Sequence, residues 1–183
     1  MNSFKLSSLA IALVLSATTV TAFAQVMVGG AAMLASKDII DNAVNSKDHT
    51  TLVAAVKAAG LVDTLKGPGP FTVFAPTNAA FGALPAGTVD SLLKPESKAA
   101  LTKVLTYHVV AGKIDAAALV QAIKAGGGKA TLKTVSGGTL TATAMGGGVM
   151  VMDESGHSAK VTIADVTQSN GVIHVVDKVL LPM

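Results

Sequence analysis

Apolar positions follow two different periods along this chain. Between Ser36 and Gly128 they recur mainly at helical spacing, and after Lys129 they alternate in short runs divided by glycines. Ile39, Ile40, Ala43 and Val44 predict a first helix capped by Ser36 and broken at Asn45 to Lys47. Leu52, Val53, Val56 and Ala59 share one face of a second helix from Asp48 to Ala59, stopped by Gly60. Leu61, Val62 and Leu65 predict one more short helical turn. Thr88 is expected to cap Val89 to Leu93, and Pro95 suits the first turn of a helix whose inner stripe is Leu101, Val104 and Leu105. Asp115 is placed to cap a helix through Leu119, Val120 and Ile123, ended by Gly126 to Gly128. In the last third, Ala130–Leu132, Leu140–Ala142 and Val149–Val151 read as hairpin strands. Val161, Ile163 and Val166 mark another, and a final long strand is expected from Val172 to Leu181 after the Asn170-Gly171 turn.

One stretch departs from this order. Phe71-Thr72-Val73-Phe74 is aromatic and β-branched, so it reads as an early strand, delivered by the Gly67-Pro68-Gly69-Pro70 turn. Pro76 lacks a ladder donor and ends the strand; Thr77 or Asn78 can then cap a helix begun by Ala79-Ala80-Phe81. A sheet of local hairpins would leave this strand without a partner. It is therefore expected to share a sheet with the final strand, which predicts an α+β fold.

Three segments in order carry a family resemblance. Phe71 to Phe81, with Phe74, Pro76, Thr77 and Asn78, resembles the first signature of the fasciclin domain. Tyr107-His108-Val109-Val110 resembles its central Tyr-His motif. Asn170-Gly171-Val172-Ile173-His174, continuing through Asp177 to Pro182, resembles its closing motif. Asn78 stands where many members carry Asp, which removes a possible charge. The resemblance implies a wedge-like β-sandwich with several helices packed around it, as one domain over residues 37–183. It also implies a non-enzymatic role in adhesion or in surface and matrix contacts. The partner would be a cell-surface or matrix protein or a polysaccharide. The Tyr-His region of animal fasciclin domains is associated with receptor binding, which makes Tyr107 and His108 the candidate interaction residues. Some similar algal proteins bind carotenoids, which raises the alternative of an apolar-ligand carrier.

Composition narrows the function classes. Residues 1–24 combine Lys5, an apolar run from Leu9 to Val20, and Ala22-Phe23-Ala24, which reads as a signal peptide cut after Ala24. Export to a periplasm or the extracellular space follows, with Gln25 to Ser36 as a flexible leader. No later stretch is long and apolar enough to span a membrane. The chain has no Cys, which excludes disulfides, thiolate metal sites and thiol chemistry. Loss of Lys5 takes the formal charge of +3 to +2; with no Arg and scattered Lys, a nucleic-acid partner is not expected.

No catalytic constellation stands out. Gly-x-Ser-x-Gly and phosphate-loop patterns are missing, and Asp153-Glu154 reads as a solvated turn. His108 and His174 would need a third ligand, Asp177 or Asp165, to hold a metal; hydrogen bonding within the core is the favoured reading, and no cofactor is expected. His49 is read as a helix-start residue. Met145, Met150 and Met152 read as soft core filler, or else as an adaptable apolar surface.

Overall fold

The computed structural model describes residues 25–183, so the expected signal peptide lies outside the described residues. Seven helices occupy mainly the first two thirds: α1 (Ile39–Ala43), α2 (Thr50–Ala59), α3 (Val62–Lys66), α4 (Asn78–Gly82), α5 (Thr88–Leu93), α6 (Lys98–Tyr107) and α7 (Ala116–Ala125). The strands are β1 (Val26–Val28), β2 (Ala31–Met33), β3 (Phe71–Pro76), β4 (Val109–Ala111), β5 (Lys129–Lys133), β6 (Thr139–Met145), β7 (Gly148–Met152), β8 (Ser158–Gln168) and β9 (Gly171–Val176). All but β1 and β2 form one seven-stranded sheet in the order β4-β3-β9-β8-β7-β6-β5.

The early strand does find the final one. β3 lies parallel to β9, from Phe71 opposite Gly171 to Pro76 opposite Val176. Parallel strands tend to be covered on both faces, which is why β3 and β9 are almost continuously apolar. Val73, Ala75, Ile173 and Val175 face a core shared with α1 to α4 and α6. Phe74 and Val176 face a second core shared with α7 and the inner positions of β5 to β8. β5, β6 and β7 alternate instead, because only one face of each is buried.

The eleven-residue β8 joins the two halves. Ser158 to Lys160 pair with β7, and Val161 to Gln168 pair with β9 across two register shifts. Such bulges bend a strand and steepen its twist. The bend brings the sheet's ends together: Val110 bridges Thr134, and Val135 N donates to Val109 O at 2.8 Å. One sheet thereby becomes a wedge with an internal core, in keeping with the α+β expectation.

Several local expectations are corrected. The cap of α1 is Asp38, whose carboxylate accepts from Asp41 N at 2.8 Å, and not Ser36. Tyr107 closes α6 and His108 is its C-cap, so the strand begins only at Val109. α5 starts after Gly87 at φ +81°, with Thr88 as its first residue and not its cap. β9 ends at Val176, since Asp177 turns to accept from Lys160 N. Met150 and Met152 lie outward on β7 while Val149 and Val151 fill the core. The caps at Thr77 and Asp115 and the left-handed stop at Gly60 are as expected.

The segment expected as a flexible leader is an ordered hairpin. Gly29 and Gly30, both at positive φ, turn β1 into β2. Val28 and Met33 enter the helical core, and Lys47 N donates to Gly29 O at 3.2 Å. Removing residues 25–35 is expected to lower stability by about 3 kcal/mol, the order of magnitude for re-exposing two apolar side chains. Urea unfolding checks this, and a leader making no contacts would leave the midpoint unchanged.

Gly171 is the tightest point between the parallel strands. A Cβ there would overlap the Phe71 carbonyl oxygen. Gly171→Ala is expected to cost about 3 kcal/mol, since backbone cannot yield as a flexible side chain can. Thermal unfolding should show a clear fall in Tm.

Candidate functional site

The Tyr-His motif lies inside the protein. Tyr107 is 0% exposed and His108 is 2% exposed. The Tyr107 hydroxyl donates to Thr139 O at 2.8 Å and accepts from Glu154 N at 3.1 Å. Its ring lies against Gly138, where an added Cβ would sit 2.6 Å from a ring carbon. Burial raises the phenol pKa, and the phenol stays protonated. Tyr107 and His108 are therefore not surface contacts, contrary to their reading as candidate interaction residues. Aromatic and imidazole groups at a helix end can serve either role in a sequence; packing against Gly138, Thr139, Glu154 and Leu180 decided it.

His108 has one donor and one acceptor task. Nδ1 donates to Val104 O at 2.8 Å, and Nε2 accepts from Leu180 N at 3.0 Å. That pairing requires the neutral ring, and burial lowers its pKa to about 4. Asp153 holds the next residue: Oδ2 accepts from Leu181 N at 3.1 Å, while Oδ1 accepts from His157 N at 2.8 Å. Asp153 is buried, with His157 Nδ1 3.3 Å from Oδ2, so the expectation of a solvated turn is corrected at Asp153, while Glu154 is exposed in the turn as expected. Glu154 Oε1 likewise accepts from Thr139 N at 2.9 Å. The half-buried Pro182 follows this anchored stretch. The only trace in the sequence was an acidic residue four positions before a histidine.

His174, on the other side of Phe74, serves a different connection. Its Nε2 donates to Ile114 O at 2.8 Å, and Nδ1 accepts from Asp165 N at 3.4 Å. The ring stacks on Phe74, centroids 5.5 Å apart, and burial lowers its pKa. Asp165 sits at φ +58° in the β8 bulge and its carboxylate accepts from Ala116 N at the start of α7, at 2.6 Å. Thus His108 and His174 flank Phe74, but each is committed to separate backbone groups. Among the described residues no set of three His, Asp or Glu side chains converges as a metal site.

The other signature residues act as clamps. Asn78 Oδ1 accepts from Thr51 N at 3.0 Å, and Nδ2 donates to Lys47 O at 2.8 Å, tying α4 to the start of α2. An Asp in its place could not donate to Lys47 O, so the amide has a use of its own. Asn170 Nδ2 donates to Leu65 O at 2.7 Å and Oδ1 accepts from Ile39 N at 3.1 Å. Asp177 joins β9 to β8 through Lys160 N at 2.7 Å. Phe71 is half-buried at the start of β3, and Phe81 is buried in the helical core.

His49 stands at the start of α2, as read, and its ring is buried. Nδ1 meets Ser46 Oγ at 2.9 Å, and Nε2 has no hydrogen-bond partner among the described residues. Beside it is an apolar cavity of about 40 Å³, bounded in part by Val28, Ile39, Val56, Leu105 and Ile173.

The pH dependence follows from His108. Its folded pKa lies below the unfolded value of 6.5, so the unfolded chain binds the extra proton first. The stabilisation is fully present above pH 6.5 and is lost as pH falls toward about 4, at a cost of about 3 kcal/mol from this ring. His49 and His174 shift in the same direction. Urea midpoints measured from pH 7 to pH 4 should fall, and His108→Gln should flatten part of that slope.

Comparison with known proteins agrees with the geometry. The Fasciclin domain family matches residues 47–182. Protein sll1483 of Synechocystis is 50% identical over 156 residues, covering 85% of this chain and 79% of that protein. Cell surface glycolipoprotein MPB83 of Mycobacterium bovis is 35% identical over 159 residues, covering 84% of this chain and 64% of that protein. The FAS1 domain pair of the insect cell adhesion molecule Fasciclin I superposes with a TM-score of 0.68 at 17% identity, covering 78% of this chain and half of that one. With its three signatures, its matching fold and these relatives, the chain belongs to the fasciclin domain family.

Proposed function

We propose that this protein is exported and acts without catalysis, as a contact module on a cell surface or in a matrix. The carrying observation is that Tyr107, His108 and His174 are committed to backbone groups inside the fold, and the exposed Asp177 to the backbone N–H of Lys160. Relatives named as a cell surface glycolipoprotein and as an adhesion molecule support a surface role. Among the described residues no helix is long and apolar enough to cross a membrane. Binding would then come from the outer surface, through complementarity with a protein or polysaccharide, and weak single contacts would gain from multivalent display.

Of the places that could serve the apolar-carrier reading, an open groove of about 650 Å³ is lined in part by Val120, Met145 and Val149, and the enclosed one is the cavity beside His49. At about 40 Å³ it holds water-sized guests. To enter there a carotenoid-length molecule would have to displace α1 or α2 from the core, and the larger groove is open to solvent, so the contact reading is favoured.

Protein purified from its own host should begin at Gln25 and carry no pigment absorption. Displayed as a tetramer, it should be retained on host cell envelopes about a hundredfold better than as a monomer. An intact leader in the cytoplasm, or no retention above an inert protein, would sink the reading. A stoichiometric chromophore would instead establish the carrier.

A further inference from the structure

The strands β5 to β8 bury one face and present the other to solvent. Register aligns that outer face into rows. Lys129, Thr143, Met150 and Lys160 stand side by side on successive strands. Thr131, Thr141, Met152 and Ser158 form the next row. Lys133 and Thr139 begin a third. The three lysines are exposed, and the threonines and methionines are half-buried or exposed.

Part of this pattern needs no partner. Threonine favours strands, and lysines on the edge strand β5 discourage pairing with other chains. Two features exceed that explanation. The rows themselves contain no carboxylate; the one on these strands, exposed Asp165, lies beyond them in the β8 bulge and accepts from Ala116 N. The bordering ones, Asp177 and Glu154, each accept from a backbone N–H, of Lys160 and Thr139. On the helical side acids and lysines are interspersed, and Lys66 meets Asp38 and Asp41. Second, two methionines lie at the centre of a polar face whose Thr131, Thr141, Thr143 and Ser158 hydroxyls have no protein partner among the described residues. Thr134 and Thr162, by contrast, bond to Gly138 O and Val175 O.

We infer that the outer face of β5 to β8 is a docking surface for an acidic polysaccharide, a chain of uronate sugars. This rests on the contact reading above and specifies its partner. Lys129 and Lys133 stand about 13 Å apart along one strand, and Lys129 and Lys160 about 14 Å apart across three strand spacings. Cations at that separation meet carboxylates on non-adjacent sugars of one extended chain. The free hydroxyls match sugar hydroxyls, and the methionine thioethers offer a soft apolar contact to the C–H face of a pyranose ring. A protein partner is less suited, because its binding energy concentrates on aromatic and Arg anchors and this face has none. A nucleic acid fails on the same grounds.

The test is affinity electrophoresis of residues 25–183 in gels containing alginate, a polyuronate, with neutral dextran as control. Wild type should be retarded by alginate alone, and less so as salt is raised from 50 to 200 mM. The double variant Lys129→Glu/Lys160→Glu should weaken alginate binding about tenfold, two exposed ion pairs having been reversed. Lys94→Glu/Lys98→Glu, at exposed positions just after α5 and at the start of α6, should stay near wild type. Circular dichroism melts confirm that both variants fold. Equal binding to dextran, an unaffected face variant, or equal loss in the helical control each overturns the inference. Wild type that is retained on envelopes but ignores alginate also overturns it, leaving the contact reading intact. Failure of that broader reading shows separately, as no envelope retention at all.

Discussion

The parallel pairing of β3 with β9 is the constraint on which the rest of this fold depends. It joins segments about a hundred residues apart and places a bare glycine, Gly171, against the Phe71 carbonyl. Both strands carry apolar residues on both faces, so each face requires its own cover. The helices of the first half cover one, and the curled continuation of the same sheet covers the other. The bulges in β8 are what allow a single sheet to serve on both sides of the inner core.

Closing a sheet in this way leaves irregular backbone inside the protein, and the signature polar residues answer that need. His108 and Asp153 satisfy the amides of Leu180 and Leu181 where the chain has left β9. His174 satisfies Ile114 O in the connection to α7. Asn170 satisfies groups at the ends of α1 and α3. Each would leave a buried amide or carbonyl without a partner if removed, a cost comparable to a lost hydrogen bond or more. The motifs that identify the family are thus the joints of its architecture. Under the proposed reading, recognition falls to surfaces the joints do not use, chief among them the outer strand face.

Local signals were legible wherever a single residue type settles a backbone conformation. Thr77 and Asp115 cap helices as read, and Gly60 ends one in the left-handed region. The signals failed where two local solutions compete. Asp38 displaced Ser36 as a cap, since its stronger acceptor lies one residue before the helical dihedrals begin. Val26-Met27-Val28-Gly29-Gly30-Ala31-Ala32-Met33 holds a hairpin signal that its position behind a signal peptide masked. Asn78 was legible as part of a motif, yet its amide had a purpose visible only once Lys47 O and Thr51 N stood on either side of it.

By itself the sequence determined the helical and strand periods, the α+β class, the turn positions and the family, because these depend on residue types at short spacing. It also set the absence of thiol chemistry, since no Cys occurs. Only the tertiary structure decided which polar residues are inside. Tyr107, His108, Asp153 and His49 are buried by contacts with segments distant in the chain, and no local pattern records those neighbours. The outer face was likewise settled by register: Lys129, Thr143, Met150 and Lys160 are scattered in sequence and become one row only when four strands align.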